Sequence, residues 1–134
     1  IMPSLVGSEM CIRDRKNAVL SGYTVYTHNA QKKQKMSLVD AMHQATELGA
    51  GEIVINSIDR DGTMTGYDLE LAKLARAAVD LPLTFVGGAG STDDMQKLID
   101  TVGVVGAAAG SMFVFKGPYR AVLISYSRPG NLEY

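Results

Sequence analysis

From Gly22 onwards the apolar and polar positions fall into a repeating order of short alternating runs and longer helical ones. Gly22–His28 (GYTVYTH), with the β-formers Tyr23, Val25 and Tyr26, predicts a short strand, one arm of a hairpin with Ala18–Leu20. Gln31–Lys35 reads as a solvated basic loop. Ser37, with Asp40 three residues on, predicts a helix start close to a capping box. Leu38, Met42, Ala45 and Leu48 then recur at helical spacing until Gly49 and Gly51 stop the helix. Glu52–Ser57 (EIVINS) is an almost unbroken apolar run, the pattern of a strand covered on both faces.

The cycle then repeats. The loop Ile58–Tyr67 leads to a helix from Asp68 to Val79, with Leu71, Leu74, Ala75 and Ala78 on one side, and Pro82 precedes the strand Leu83–Val86. The loop Gly87–Ser91 leads to a helix capped by Ser91 and Asp94, with Met95, Leu98, Ile99 and Val102 inward, and Gly103 ends it before the strand Val104–Ala109. Small residues on that strand (Gly106, Ala107, Ala108) predict close packing at a barrel interior or against a helix. Strand–loop–helix repeats of this kind predict an α/β fold of parallel strands with helices outside. A closed (βα)8 TIM barrel takes about 200 residues or more. At 134 residues the chain supplies three or four units, so it reads as half a barrel, an open βα sheet or a truncated read.

The ends are irregular. Ser4–Arg15 (SLVGSEMCIRDR) resembles translated adapter sequence at the ends of assembled environmental reads, so residues 1–15 are set aside as a non-native leader. The folded domain is expected over residues 16–128, and Pro129 and Gly130 mark a tail over 129–134.

Composition narrows the function classes. A net charge of −1 supplies no basic surface for nucleic acid. A lone Cys11 excludes an intrachain disulfide framework and a cysteine zinc site, and fits a reducing, cytoplasmic setting. Val102–Phe115 is too short for a membrane span and reads as a buried strand plus turn. His28 and His43 lack the paired spacing of metal ligands, so no metal and no cofactor are expected; both read as structural or solvent-facing. The seven methionines read mostly as helical core residues, and Arg60 and Arg120 as surface ion-pair candidates.

The chemistry-bearing residues lie in the loops after the strands: Asp59, Arg60, Asp61, Gly62 and Thr63 in the first, Gly87, Gly88, Ala89 and Gly90 in the second, Gly110 and Ser111 in the third. In a parallel βα fold these share the carboxyl edge, where ligands bind. Glycines admit a phosphate to the backbone N–H groups, helix N-termini add positive potential, and Ser111 adds a hydroxyl. Asp59 and Asp61, two residues apart, cannot both stay charged in a dry site without partners. Asp61 is the stronger candidate, to orient a substrate hydroxyl or ammonium or to move a proton, whereas Asp59 caps local N–H groups or pairs with Arg60. Asn29, at a strand end beside His28, is a weaker ligand candidate, and Lys32, Lys33 and Lys35 could steer a phosphate.

With IDRDGTMTGYD, VGGAGS and AAAGSMFVF on the page, residues 16–115 resemble the C-terminal half of the cyclase subunit of imidazole glycerol phosphate synthase, the HisF type. The resemblance implies a (βα)8 barrel of two similar halves. It also implies a bis-phosphorylated aminoimidazole ribonucleotide as substrate, cyclised to imidazole glycerol phosphate in histidine biosynthesis. Ammonia would come from a glutaminase partner of the HisH type. Asp61, Gly62, Gly88, Gly110 and Ser111 match the family's clamp on one substrate phosphate, and Glu52 matches one member of its charged ammonia gate. One catalytic acid of the family belongs to a strand absent here. The other precedes Lys16–Asn17, where Asp14 stands one residue out of register, so the chain alone is expected to bind phosphate weakly and to catalyse nothing. Val86 replaces a small polar residue, Gly110 stands where Ala is common, and Phe115–Pro129 (FKGPYRAVLISYSRP) replaces a long final helix. That ending, with YTHN and VGGAGS, resembles a paralogue group associated with acetamidino modification of surface-polysaccharide sugars. A reading of another class is a non-catalytic half-barrel that folds by self-association, its open edges demanding a partner.

Overall fold

The computed structural model describes residues 8–14, 22–27 and 31–122. In chain order the elements are β1 (Ser8–Asp14), β2 (Tyr23–Thr27), β3 (Lys32–Ser37), α1 (Leu38–Glu47), β4 (Ile53–Ser57), α2 (Leu69–Ala78), β5 (Leu83–Val86), α3 (Thr92–Val102), β6 (Gly106–Ala108), α4 (Ser111–Val114), β7 (Phe115–Lys116) and β8 (Ala121–Val122). The main sheet has six strands in the order β3-β2-β1-β4-β5-β6, and β7 and β8 form a separate ribbon. β1, β4, β5 and β6 run parallel, and β2 and β3 turn back as antiparallel strands beside β1. Asn56 pairs with Val86 and Val86 with Ala108, so these residues mark one rim of the sheet.

Helices α1, α2 and α3 each start on a side chain that satisfies backbone N–H groups the first turn leaves free. Ser37 accepts from the Asp40 N–H at 3.1 Å, and the Asp68 carboxylate from the Leu71 N–H at 3.0 Å. Ser91 and Asp94 complete a reciprocal capping box. Leu38, Ala41, Met42 and Ala45 bury one stripe of α1, and Leu71, Ala72 and Ala75 one stripe of α2. They meet Ile53 and Ile55 of β4, Leu83 and Phe85 of β5 and Leu98 of α3 in one core.

That core covers only one face of the sheet. Ile53, Ile55 and Ser57 are buried, but Val54 and Asn56 between them are half-buried, and Thr84 and Val86 alternate with buried neighbours in the same way. The expectation that Glu52–Ser57 is covered on both faces is therefore corrected, because the helices supply apolar surface to one side alone.

Other expectations shift. Ser8–Asp14, inside the segment set aside as a leader, is a strand between β2 and β4, held by backbone pairing that side-chain periodicity did not signal. Most of the expected loop Gln31–Lys35 belongs to β3, whose exposed Lys32, Lys33 and Lys35 suit an edge strand, where charge discourages further pairing. The hairpin partner of β2 is thus β3, and Ala18–Leu20 lies outside the described residues, as do His28, Asn29, Lys16–Asn17 and the tail over 129–134. Leu48, Ile99 and Val104 are exposed, although helical spacing or apolar context placed them inside. Val102–Phe115 is accordingly not a buried strand plus turn but a helix end, a half-buried strand and one helical turn. Met42 is the methionine buried in the core, Met95 and Met112 pack against it, and Met36 is exposed.

Candidate functional site

The loops after β4, β5 and β6 leave the sheet at the rim marked by Asn56, Val86 and Ala108. The first is a chain of tight turns. The Arg60 and Asp61 N–H groups donate to the Ser57 carbonyl at 3.1 and 2.9 Å, and both the N–H and the hydroxyl of Thr63 donate to the Arg60 carbonyl. The loop then leans on its neighbour, the Gly66 N–H donating to the Gly88 carbonyl at 2.7 Å. At Gly88 (φ +104°) any Cβ would collide with the Gly66 carbonyl oxygen and sit 3.2 Å from Cβ of Arg60. Loop-on-loop packing thus requires glycine there whatever binds nearby.

Asp61, Gly62, Gly88, Gly110 and Ser111 come together, with Val86, Gly87, Ala89 and Ala109, around one cleft of about 20 Å³. That space holds about one water-sized group, so a larger ligand sits across the mouth. A Cβ on Gly62 would lie 3.9 Å from Ser111 Oγ, so the first and third loops face each other directly. A Cβ on Gly110 would meet nothing within 4 Å. Larger cavities lie elsewhere, one of 540 Å³ lined by His43, Thr46, Glu47 and Asp80 among others, and one of 570 Å³ beside Tyr23, Lys33 and Lys35. His43 is exposed, its Nε2 3.1 Å from the Ala78 carbonyl oxygen. Among the described residues no group of three or more His, Cys, Asp or Glu could hold a metal, and no helix is long and apolar enough to cross a membrane.

The electrostatics differ from the sequence expectation in two ways. The N–H groups of Gly90 and Ser91, before α3, both donate to Asp94 Oδ2 at 3.0 and 3.1 Å, so this helix start is already served by its own carboxylate. The helix after the third loop, α4, is a single turn and has little macrodipole to offer. What remains for an anion is local. No backbone carbonyl of the described residues takes the N–H of Gly62, Ala89 or Ser111, and Ser111 carries its hydroxyl. Asp59 and Asp61 are both exposed, one in the turn after the other, so the premise of a dry site holding two carboxylates is corrected.

Glu52 sits at the opposite end of β4, where the Thr84 hydroxyl donates to Glu52 Oε1 at 2.6 Å. Gly106 packs directly on Thr84 of the neighbouring strand β5, its partner in register.

Three residues that the sequence did not mark as site residues shape the rim. The buried Tyr67 donates its hydroxyl to the Ala108 carbonyl at 2.7 Å, tying the first loop to the end of β6. Burial, and then the Asp94 carboxylate, push its phenol up to about 12. Arg120, read as an ion-pair candidate, instead donates from Nη2 to the Gly62 carbonyl at 2.6 Å. Asn56 Oδ1 is buried and has no hydrogen-bond partner among the described residues. Of these, Tyr67 left a signal as an aromatic inside a polar loop, and Arg120 as a cation beyond the last glycine loop.

A family model described as "Histidine biosynthesis protein" matches residues 10–119. The chain belongs to this family. The histidine biosynthesis proteins are TIM barrels, and the chain carries the parallel βα repeats of the C-terminal half of one. A Leptospira borgpetersenii protein, provisionally named imidazole glycerol phosphate synthase subunit HisF, is 48% identical over 93% of this chain and 50% of its own length. A Vibrio vulnificus protein, provisionally named subunit hisF3, is 49% identical over 90% of this chain and 46% of its own length. Imidazole glycerol phosphate synthase subunit HisF of Thermobifida fusca is 42% identical over 73% of this chain and 38% of its own length. The chain thus spans about half the length of the curated relatives it matches.

Proposed function

We propose that this chain is the phosphate-holding half of an ammonia-dependent cyclase of the HisF type. The observation that carries the reading is the convergence of the loops after β4, β5 and β6 on one cleft. The N–H groups of Gly62, Ala89 and Ser111, with the Ser111 hydroxyl, donate to the oxygens of one phosphate of a bis-phosphorylated aminoimidazole ribonucleotide. Gly88 and Gly110 keep the second and third loops free of side chains at its edge. Asp61, exposed beside Gly62, accepts a hydrogen bond from a substrate hydroxyl and orients it, or moves a proton during ring closure. Glu52, at the amino end of β4, lines the entrance through which a glutaminase subunit of the HisH type, a cytoplasmic partner, delivers ammonia. The chain alone lacks the catalytic acids and is inactive without the rest of the barrel. The test is the full-length parent assayed with ammonium and the ribonucleotide: Asp61→Asn lowers turnover at least tenfold with little change in thermal midpoint. Equal turnover removes Asp61 from the site.

A second reading is a paralogue that amidinates a polysaccharide sugar. It is favoured by one observation: the relatives whose HisF name is provisional or numbered match over 84–97% of this chain, whereas those named HisF without that mark match over 73–77%. Failure of the full-length parent to turn over the ribonucleotide, with amidination of a sugar acceptor, would select it. A stable, inactive self-associated half-barrel with no phosphate affinity would select the non-catalytic module.

A further inference from the structure

The cleft has an unbalanced charge. Asp61 is the one charged residue among those that line it, and it is acidic. A phosphoryl dianion at the mouth would face that carboxylate with only neutral N–H and hydroxyl donors to offset it. One cation is held at the edge of the cleft. Arg120 closes the turn of the β7–β8 ribbon, its N–H donating to the Gly117 carbonyl at 3.1 Å, in a left-handed conformation (φ +48°). Its guanidinium lies 5.6 Å from the centroid of the Phe115 ring and reaches back across the chain to the Gly62 carbonyl. Gly62 itself faces Ser111 Oγ. One contact uses one of the five N–H donors that a guanidinium carries. Among the described residues Arg120 makes no ion pair, so no carboxylate neutralises it.

We propose that Arg120 is the cation of this site, holding Gly62 with one N–H and presenting its remaining donors to the phosphoryl oxygens of the ligand. The inference rests on the phosphate reading of the cleft. The Phe115 ring supports the flat guanidinium, and the left-handed turn sets its direction, so the ribbon acts as a clasp that brings a cation to a cleft whose lining residues include none. The ligand class is a phosphate monoester in its dianionic form.

The test titrates this chain with inorganic phosphate and with glycerol 3-phosphate, following the amide resonances of Gly62, Ala89 and Ser111 by NMR at low and moderate salt. Arg120→Gln, with its spectrum showing the fold retained, is expected to weaken both ligands roughly tenfold. Its affinity should also fall less steeply with salt, because a screened charge is gone. Arg120→Lys keeps the charge but loses the fork, and is expected to fall between the two. A purely structural clasp would instead lower affinity by the same factor at every salt concentration, and Arg120→Lys would match Arg120→Gln; that result overturns the inference. So does an affinity of Arg120→Gln within twofold of the parent, and in both cases the phosphate reading survives. No shift at the three amides of the parent chain overturns both.

Discussion

Replacing Gly88 by alanine separates what the second loop needs for folding from what a ligand needs of it. At φ +104° a side chain already costs roughly 1–2 kcal/mol of backbone strain. The new methyl would run into the Gly66 carbonyl oxygen and lie 2.9 Å from the carbonyl carbon, so the two loops must part by on the order of 1 Å. Parting them breaks the hydrogen bond from the Gly66 N–H to the Gly88 carbonyl, worth about 1 kcal/mol net. Together these cost about 2–4 kcal/mol, a large part of the 5–15 kcal/mol that holds a typical domain. Gly110 is the internal control. Its φ of −117° is open to any residue and no atom lies within 4 Å of a Cβ placed there. Gly110→Ala should leave stability unchanged or raise it by up to about 1 kcal/mol, through a less flexible unfolded chain. Urea unfolding of both variants beside the parent measures the contrast. Equal midpoints for Gly88→Ala and the parent would refute the interlocked loops. A loss of phosphate affinity in Gly88→Ala is expected on packing grounds alone, so it says nothing about contact with the ligand.

Ser111→Ala is the cleaner probe of the ligand, and should weaken phosphate several-fold with a melting temperature close to the parent's; unchanged affinity removes the hydroxyl from the site. Tyr67 predicts an alkaline slope in stability. Its folded pKa is raised to about 12, so above pH 10 the unfolded chain releases the phenol proton before the folded one does, and stability falls between pH 10 and 12 by at most about 3 kcal/mol. Tyr67→Phe should lose that part of the slope in a pH series of unfolding curves, and should cost about 1–3 kcal/mol near neutrality, because the Ala108 carbonyl loses its donor. Asn56→Leu removes a buried acceptor with no described partner and should be neutral or stabilising by about 1 kcal/mol in urea; a clear loss would reveal a partner for the amide.

The local signals in this chain are strong where short-range chemistry decides the structure. Ser91 with Asp94, Ser37 with Asp40, and the apolar stripes of α1 and α2 marked helix starts and buried faces, because capping and amphipathic spacing act within one or two turns. The alternation of those helices with β-branched runs was enough to place the glycine loops at one edge of a parallel sheet. β1 and β3 were not legible. β1 is held by backbone pairing with β2 and β4, and β3 is an edge strand whose lysines read as loop.

For the candidate site, the sequence by itself determined which residue types stand after each strand, since loop position follows from the order of the βα units. Tertiary structure decided how they are used. Packing of Gly88 on Gly66 made one glycine a structural necessity, Asp94 took the N–H groups that a helix start offered, and the ribbon carried Arg120 across 58 residues to the Gly62 carbonyl. Those outcomes depend on close approach in three dimensions between segments far apart in the chain, which no local spacing of residues encodes.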